Sequence, residues 1–330
     1  PTSSLSMKDA QNLFQVIARL KAEGVSVIYI SHFLEEVFQV ADRYTVLRNG
    51  EAVASGELSE TDESSIIELM VGRSLDELFP RVPHEAGDAI VEIQGLSGAT
   101  NPKNVDLTLR RGEILGLTGL VGAGRTELLR CLYGLDEVRE GTIRVAEWSG
   151  TQRDPSLRVR QRLGLVSEDR KDEGLALERS IADNATLSDM KSIAKLGFIR
   201  PLRQHQAVSA LIDTVSIKCR DPDQNVGDLS GGNQQKVAIA RLLHQEAEIV
   251  LLDEPTRGID VGSKVEVYRI IGELASQGKA VLFVSSYVPE LLGVCDRIAV
   301  MSRGEIRGLR TASEWTEHAV MTAATGVSSA

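Results

Sequence analysis

The 330-residue sequence predicts an α/β fold. The expected core is a parallel sheet wrapped by helices, with an antiparallel β-subdomain and a helical arm, preceded by the tail of a second copy of the same design. Three observations predict it. A glycine-rich loop at residues 119–126 (GLVGAGRT) lies between an apolar strand pattern and a helix pattern. Residues 228–260 (DLSGGNQQKVAIARLLHQEAEIVLLDEPTRGID) hold a glycine turn, a helix and a wholly apolar run that ends in Asp253 and Glu254. Residues 1–50 match residues 255–304 without a gap, shifted by 254 positions, with about a quarter identical.

The elements follow in chain order. Leu13, Val16, Ile17 and Leu20 recur at helical spacing, so residues 8–20 read as a helix that stops near Gly24. Residues 25–30 read as a strand and 34–40 as a short helix. Residues 44–48 and 51–54 read as strands about an Asn49-Gly50 turn, and 63–71 as a helix. Residues 79–87 carry two prolines among polar residues and read as a linker. The expected organisation is therefore a partial first domain at 1–78, a linker at 79–87 and a complete domain at 88–330. In the latter, 91–93, 105–109 and 143–145 are the expected antiparallel strands, 114–117 a core strand, 127–133 a helix, and 181–229 a mostly helical arm.

The loop 119–126 fits the phosphate-binding pattern G-x-x-x-x-G-K-[ST], with Arg125 standing where Lys is expected. Gly119, Gly122, Ala123 and Gly124 would let backbone N–H groups cradle phosphates, with Thr126 reaching Mg²⁺. Arg125 is a planar, bulkier fork and no simple substitute for a compact ammonium. Ser230, Gly231 and Gly232 open a helix, whose N-terminus offers free N–H groups to a phosphate, with Gln234 in its first turn. Residues 249–252 form the continuous apolar run of a buried parallel strand. Asp253 at its end can hold Mg²⁺, and Glu254 can polarise an attacking water.

Together the glycine-rich loop, LSGGNQQK and the Asp253-Glu254 strand end resemble the Walker A, signature and Walker B segments of ATP-binding-cassette (ABC) ATPases, a P-loop NTPase class. That resemblance implies ATP and Mg²⁺ as ligands. ABC ATPases usually carry a Gln after the next core strand; here residues 164–167 lead to Glu168 in SEDRKDEGL. An aromatic that stacks on adenine is expected before the loop, yet no Phe, Tyr or Trp lies between Phe79 and Tyr133. A switch His is expected after the last core strand, 280–284, but Ser285-Ser286-Tyr287 follows. The repeat aligns His32 with Ser286, so Ser31-His32 resembles an intact switch motif and Ser286 its degenerate counterpart.

GLVGAGRTELLRCLYG, SEDRKDEGL and LSGGNQQKVAIARLL are similar to the second ATPase domain of the fused, two-domain ATP-binding subunits of bacterial monosaccharide importers of the ribose, galactose and xylose class. That family commonly shows the Arg, the Glu and the missing His in its second domain. The resemblance covers the whole chain and implies truncation within the first ATPase domain. It implies ATP hydrolysis coupled to sugar import through membrane permease subunits fed by a sugar-binding protein, at the cytoplasmic face of the bacterial plasma membrane. It also implies sites formed head to tail. Glu254 and His32 would be the catalytic groups of different sites, and the missing first domain or a second copy of the chain would complete them.

Composition fits these expectations. Net charge of −10 argues against a nucleic-acid partner. Cys131, Cys219 and Cys295 form no C-x-x-C pair, which disfavours zinc or a disulfide framework and suits a reducing cytosol. No apolar run approaches a membrane span, so a membrane link would go through a partner. Two other classes fit less well. A non-hydrolysing, nucleotide-binding regulatory subunit is disfavoured by Glu254. A soluble cassette protein acting on DNA or ribosomes would need a long coiled-coil insertion, zinc-type cysteines or a basic surface, and the sequence shows none.

Overall fold

The computed structural model describes residues 7–31, 34–48, 50–72 and 78–326. They divide into two compact units, Pro1–Leu78 with Gly258–Val265, and Phe79–Arg257 with Glu266–Ala330.

The first unit contains α1 (Met7–Ala22), α2 (Leu34–Val40), an antiparallel hairpin of β1 (Arg43–Arg48) and β2 (Glu51–Glu57), and α3 (Glu63–Val71). Asp62 caps α3 by accepting from the Ser65 N–H at 2.7 Å, and Gly72 closes it in the left-handed region. Leu34, Val46, Leu58 and Ile66 form its small core. Asn49, expected in the turn after residues 44–48, lies outside the described residues.

The second unit carries β3 (Ala89–Gly98), β4 (Val105–Arg110), β5 (Ile114–Gly119), α4 (Arg125–Tyr133), β6 (Val138–Val145) and the short β7 (Trp148–Ser149). Then come α5 (Pro155–Arg160), β8 (Leu163–Val166), α6 (Ile181–Thr186), the small hairpin β9 (Ala194–Lys195) and β10 (Phe198–Ile199), α7 (Pro201–Thr214) and α8 (Gly231–His244). The chain continues through β11 (Ile249–Asp253), α9 (Val261–Ser276), β12 (Ala280–Val284), α10 (Val288–Val294), β13 (Arg297–Ser302), β14 (Glu305–Thr311) and α11 (Glu317–Thr325). The core sheet has six strands in the order β14-β13-β5-β12-β11-β8, parallel except for β14 at the edge. A four-stranded antiparallel sheet, β4-β3-β6-β7, stands beside it. Every residue of β11 and β12 is buried, as a central parallel strand covered on both faces requires. Among the described residues no helix is long and apolar enough to cross a membrane.

The segment read as the linker, 79–87, lies against this unit. Phe79 stacks on Tyr268 with ring centroids 5.4 Å apart, Arg81 Nε donates to the Gly293 carbonyl at 3.1 Å, and His84 Nε2 sits 3.1 Å from Asp296.

The internal repeat extends to every element boundary. Adding 254 carries α1 onto α9, α2 onto α10, β1 onto β13, β2 onto β14 and α3 onto α11. Even the register slip recurs, between Val46 and Leu47 and between Val300 and Met301. One element breaks the correspondence. Residues 25–30, expected as a strand, form no regular structure, whereas the matching β12 pairs with both β11 and β5. Ile28 is 92 % exposed and Ile30 82 %, against 1 % and 0 % for their counterparts Leu282 and Val284. β-propensity makes a strand only where neighbours supply a ladder and a packed face. Among the described residues of the first unit no strands correspond to β5 and β11.

Candidate nucleotide site

Three parallel strands deliver the site. β5, β11 and β12 end side by side, and the loop after each carries a predicted group. The loop after β5 turns through Gly119, Gly122, Ala123 and Gly124 into α4. At Gly119 a Cβ would stand 2.3 Å from the Met301 carbonyl oxygen, so only glycine lets the loop pass under β13. Gly124 begins α4 at φ 102, a left-handed entry that leaves the first N–H groups of the helix uncapped by a side chain. Free N–H groups at the start of a helix are what a phosphate needs.

β11 ends in Asp253, which is buried, and its Oδ1 has no hydrogen-bond partner. Burial pushes this carboxyl above its ordinary value, while a hydrogen bond from Thr126 and the charge of Arg125 pull it back. A buried carboxylate oxygen without a partner, beside a threonine hydroxyl, fits a hard divalent cation. Among the described residues no group of three His, Cys, Asp or Glu side chains could hold a metal alone.

Glu254 follows at φ 46, in the left-handed region, with its N–H bonded to the Val284 carbonyl at 3.0 Å. Two groups hold its carboxylate. Arg125 Nη1 donates to Oε1 at 3.2 Å, and Ser286 Oγ donates to Oε2 at 3.2 Å. The pair is secluded, with side-chain exposures of 12 % for Arg125 and 8 % for Glu254. Burial raises the Glu254 carboxyl; Arg125 chiefly, and then Ser286, oppose that. Arg125 therefore neutralises the residue predicted to activate water, which the sequence gives no means to foresee. Ser286 occupies the predicted switch position. His32, its counterpart, lies outside the described residues.

Glu168 pairs with Arg257, in the turn after Glu254. Another acid of SEDRKDEGL, Glu173, lines the same cavity as Asp253. It accepts from Ser167 Oγ at 2.7 Å, pairs with Arg130 at 3.4 Å, and contributes to raising Asp253. Glu173, Thr126, Asp253, Arg130 and Arg241 line a cavity of about 390 Å³. Residues 170–174 form a π turn, a geometry frequent at functional sites, which no periodicity signals in sequence.

Ser230, Gly231 and Gly232 lie at the start of α8, as predicted, on an element separate from the strand ends. Ser230 Oγ accepts from Asn233 at 2.9 Å, and Arg170 Nη1 donates to the Gly231 carbonyl at 3.1 Å. Gln234 is buried and donates to the carbonyls of Val226 at 3.3 Å and Leu229 at 3.1 Å. Its amide is engaged in holding the turn before α8.

Residues 102–257 match the family described as ABC transporter. The chain is 43 % identical over 326 residues to the ribose import ATP-binding protein RbsA of Lactococcus lactis subsp. cremoris (strain SK11), and 42 % identical to that of Bacillus subtilis (strain 168). In both cases 99 % of this chain is matched, and it spans 66 % of the relative's length. Among solved structures, an ATP-binding cassette in a post-hydrolysis state with ADP and Pi superposes with a TM-score of 0.59 at 22 % identity, covering 67 % of this chain and 98 % of that one. The cassette protein cbiO1 from Clostridium perfringens superposes with a TM-score of 0.60 at 21 % identity, covering 71 % of this chain and 93 % of that one. These structural matches establish the cassette fold.

Proposed function

Because this chain belongs to the ABC transporter family, we propose that it is ATP-binding machinery of a monosaccharide importer resembling the ribose-import class. The carrying observation is the convergence, at the ends of β5, β11 and β12, of the 119–126 loop, Thr126, Asp253 with its unpartnered buried oxygen, and Glu254. Gly119, Gly122, Ala123, Gly124 and Arg125 would receive the phosphates of ATP, and Thr126 and Asp253 would hold Mg²⁺. The ion would supply positive charge to the phosphate oxygens. Glu254 would orient the attacking water.

The site is read as weakened. Arg125 neutralises the base, Ser286 stands where a switch His would stand, and Glu168 is occupied by Arg257. A non-hydrolysing, nucleotide-binding role is the second reading, and the Arg125–Glu254 pair is the observation that favours it. The segment at Ser230, Gly231 and Gly232 would complete a site on another cassette, either a first domain such as the longer relatives have room for or a second copy of this chain. Permease subunits at the cytoplasmic face of the plasma membrane, fed by a sugar-binding protein, are the proposed partners.

The test is equilibrium binding of Mg·ATP to the purified chain, followed by steady-state phosphate release. Saturable binding with turnover far below the cassette partner's own supports the reading. No binding at millimolar Mg·ATP would reject it, and ordinary turnover would reject the weakened site.

A further inference from the structure

Glu290 on α10 is fully buried, with 0 % exposure, and the site described above does not use it. Three hydroxyls converge on its carboxylate. Thr256 Oγ1 donates to both oxygens, at 3.0 and 2.9 Å. The hydroxyls of Tyr268 and Ser285 donate as well. A carboxylate this deep is tolerated only when its lone pairs are met, and here donors from three different elements meet them.

The donors' positions give the cluster its meaning. Thr256 is two residues after Glu254. Ser285 directly precedes Ser286, and its Oγ accepts from the Tyr287 N–H at 3.0 Å. One carboxylate therefore grips the loop after β11 and the loop after β12, the two loops whose side chains meet at the Glu254–Ser286 hydrogen bond. Glu254 holds an unfavourable left-handed backbone, which persists only where its surroundings over-determine it. The Thr256 bonds constrain that loop from beneath.

The repeat offers an independent observation. Adding 254 carries Glu36 onto Glu290 and Ser31 onto Ser285. In the first unit Ser31 Oγ donates to Glu36 at 3.4 Å, and Tyr29 OH donates at 2.7 Å. The phenol comes from a different place. Tyr29 matches Phe283, and Tyr268 matches Phe14. The two copies have exchanged which position carries the hydroxyl, yet each carboxylate keeps one phenol and one serine. The Ser31–Glu36 tie also persists where the strand 25–30 does not form.

We propose that Glu290 is a positioning residue of the nucleotide site, clamping the Glu254 loop to the Ser286 loop so that both side chains stand ready for the terminal phosphate of ATP. The proposal rests on the reading of this site as an ATP site. The clamp acts on the groups proposed for the terminal phosphate and not on the 119–126 loop, so it should distinguish ATP from ADP. The test is isothermal titration calorimetry of the full chain with Mg·ATP and Mg·ADP, for wild type, Glu290→Gln, Thr256→Val and the double variant. Expected results are an ATP affinity about fivefold lower in either single variant, an ADP affinity within twofold of wild type, and no further loss in the double variant. If Glu290→Gln does not fold, Thr256→Val and Ser285→Ala carry the same expectation. Equal losses for ATP and ADP, or an unchanged ATP affinity in folded variants, would overturn the clamp while leaving the ATP site intact. A wild-type chain that bound neither nucleotide would overturn the site reading, and the clamp with it.

Discussion

Arg125 and Glu254 are 129 positions apart in sequence and joined by a secluded ion pair at 3.2 Å. Removing one member of such a pair leaves the other buried without compensation. Arg125→Ala should therefore lower stability by about 3 kcal/mol, read as a shift in the urea midpoint with an unchanged slope. Arg125→Lys should retain most of that stability. Equal stability of Arg125→Ala and wild type would show that the pair contributes nothing.

Gly119 and Gly122 of the phosphate loop should differ in a graded way. Gly119→Ala drives a methyl to within 2.3 Å of the Met301 carbonyl and should cost about 3 kcal/mol and abolish nucleotide binding. Gly122 has φ 80 but nothing within 4 Å of its Cβ position, so Gly122→Ala should cost only about 1 kcal/mol. Thermal unfolding of both variants side by side checks the order.

The three thiols should separate kinetically. Cys131 and Cys295 are buried and Cys219 is partly exposed. Burial pushes the Cys131 thiol up to about 11 and raises Cys295 well above its ordinary range. A thiol reacts as the thiolate, so at pH 8 a maleimide should label Cys219 alone, with the other two following only on unfolding. Mass spectrometry of tryptic peptides reads the sites; rapid labelling of Cys131 in the native chain would contradict the packing of α4.

Equivalent positions of the repeat should respond oppositely to charge. Leu282→Lys buries an unpaired ammonium at the centre of the core sheet and should cost about 4 kcal/mol or more. Ile28→Lys places the same group in water and should change stability by less than about 0.5 kcal/mol. Chemical denaturation of the two variants compares them directly, and a large loss for Ile28→Lys would mean that 25–30 is packed in solution.

What could be read from the sequence was what is local or repeated. The helix at 63–71 and the strand at 280–284 fall on their predicted boundaries because caps and an apolar run mark them. The loop 119–126 and the Asp253-Glu254 strand end follow from fixed spacing. The strand at 25–30 did not form, since its partners rather than its own side chains decide it. Gln234 looked available for a nucleotide because it stands in a signature motif, yet backbone carbonyls occupy its amide. The pairings of Arg125 with Glu254 and of Glu168 with Arg257 depend on which loops the sheet order brings together, and no window of sequence contains that order. β13 and β14 were legible in principle, because the shift of 254 maps β1 and β2 onto them.

Residues 27–30 read VIYI, four strong β-formers in a row with no charge and no proline, and they lie without a ladder. In a concentrated solution this ribbon is a template: another chain can add to it edge on, side chain by side chain. The net charge of −10 opposes such encounters at low ionic strength and is screened by salt. Self-association of this chain is therefore expected to begin at one short segment and to grow as salt rises.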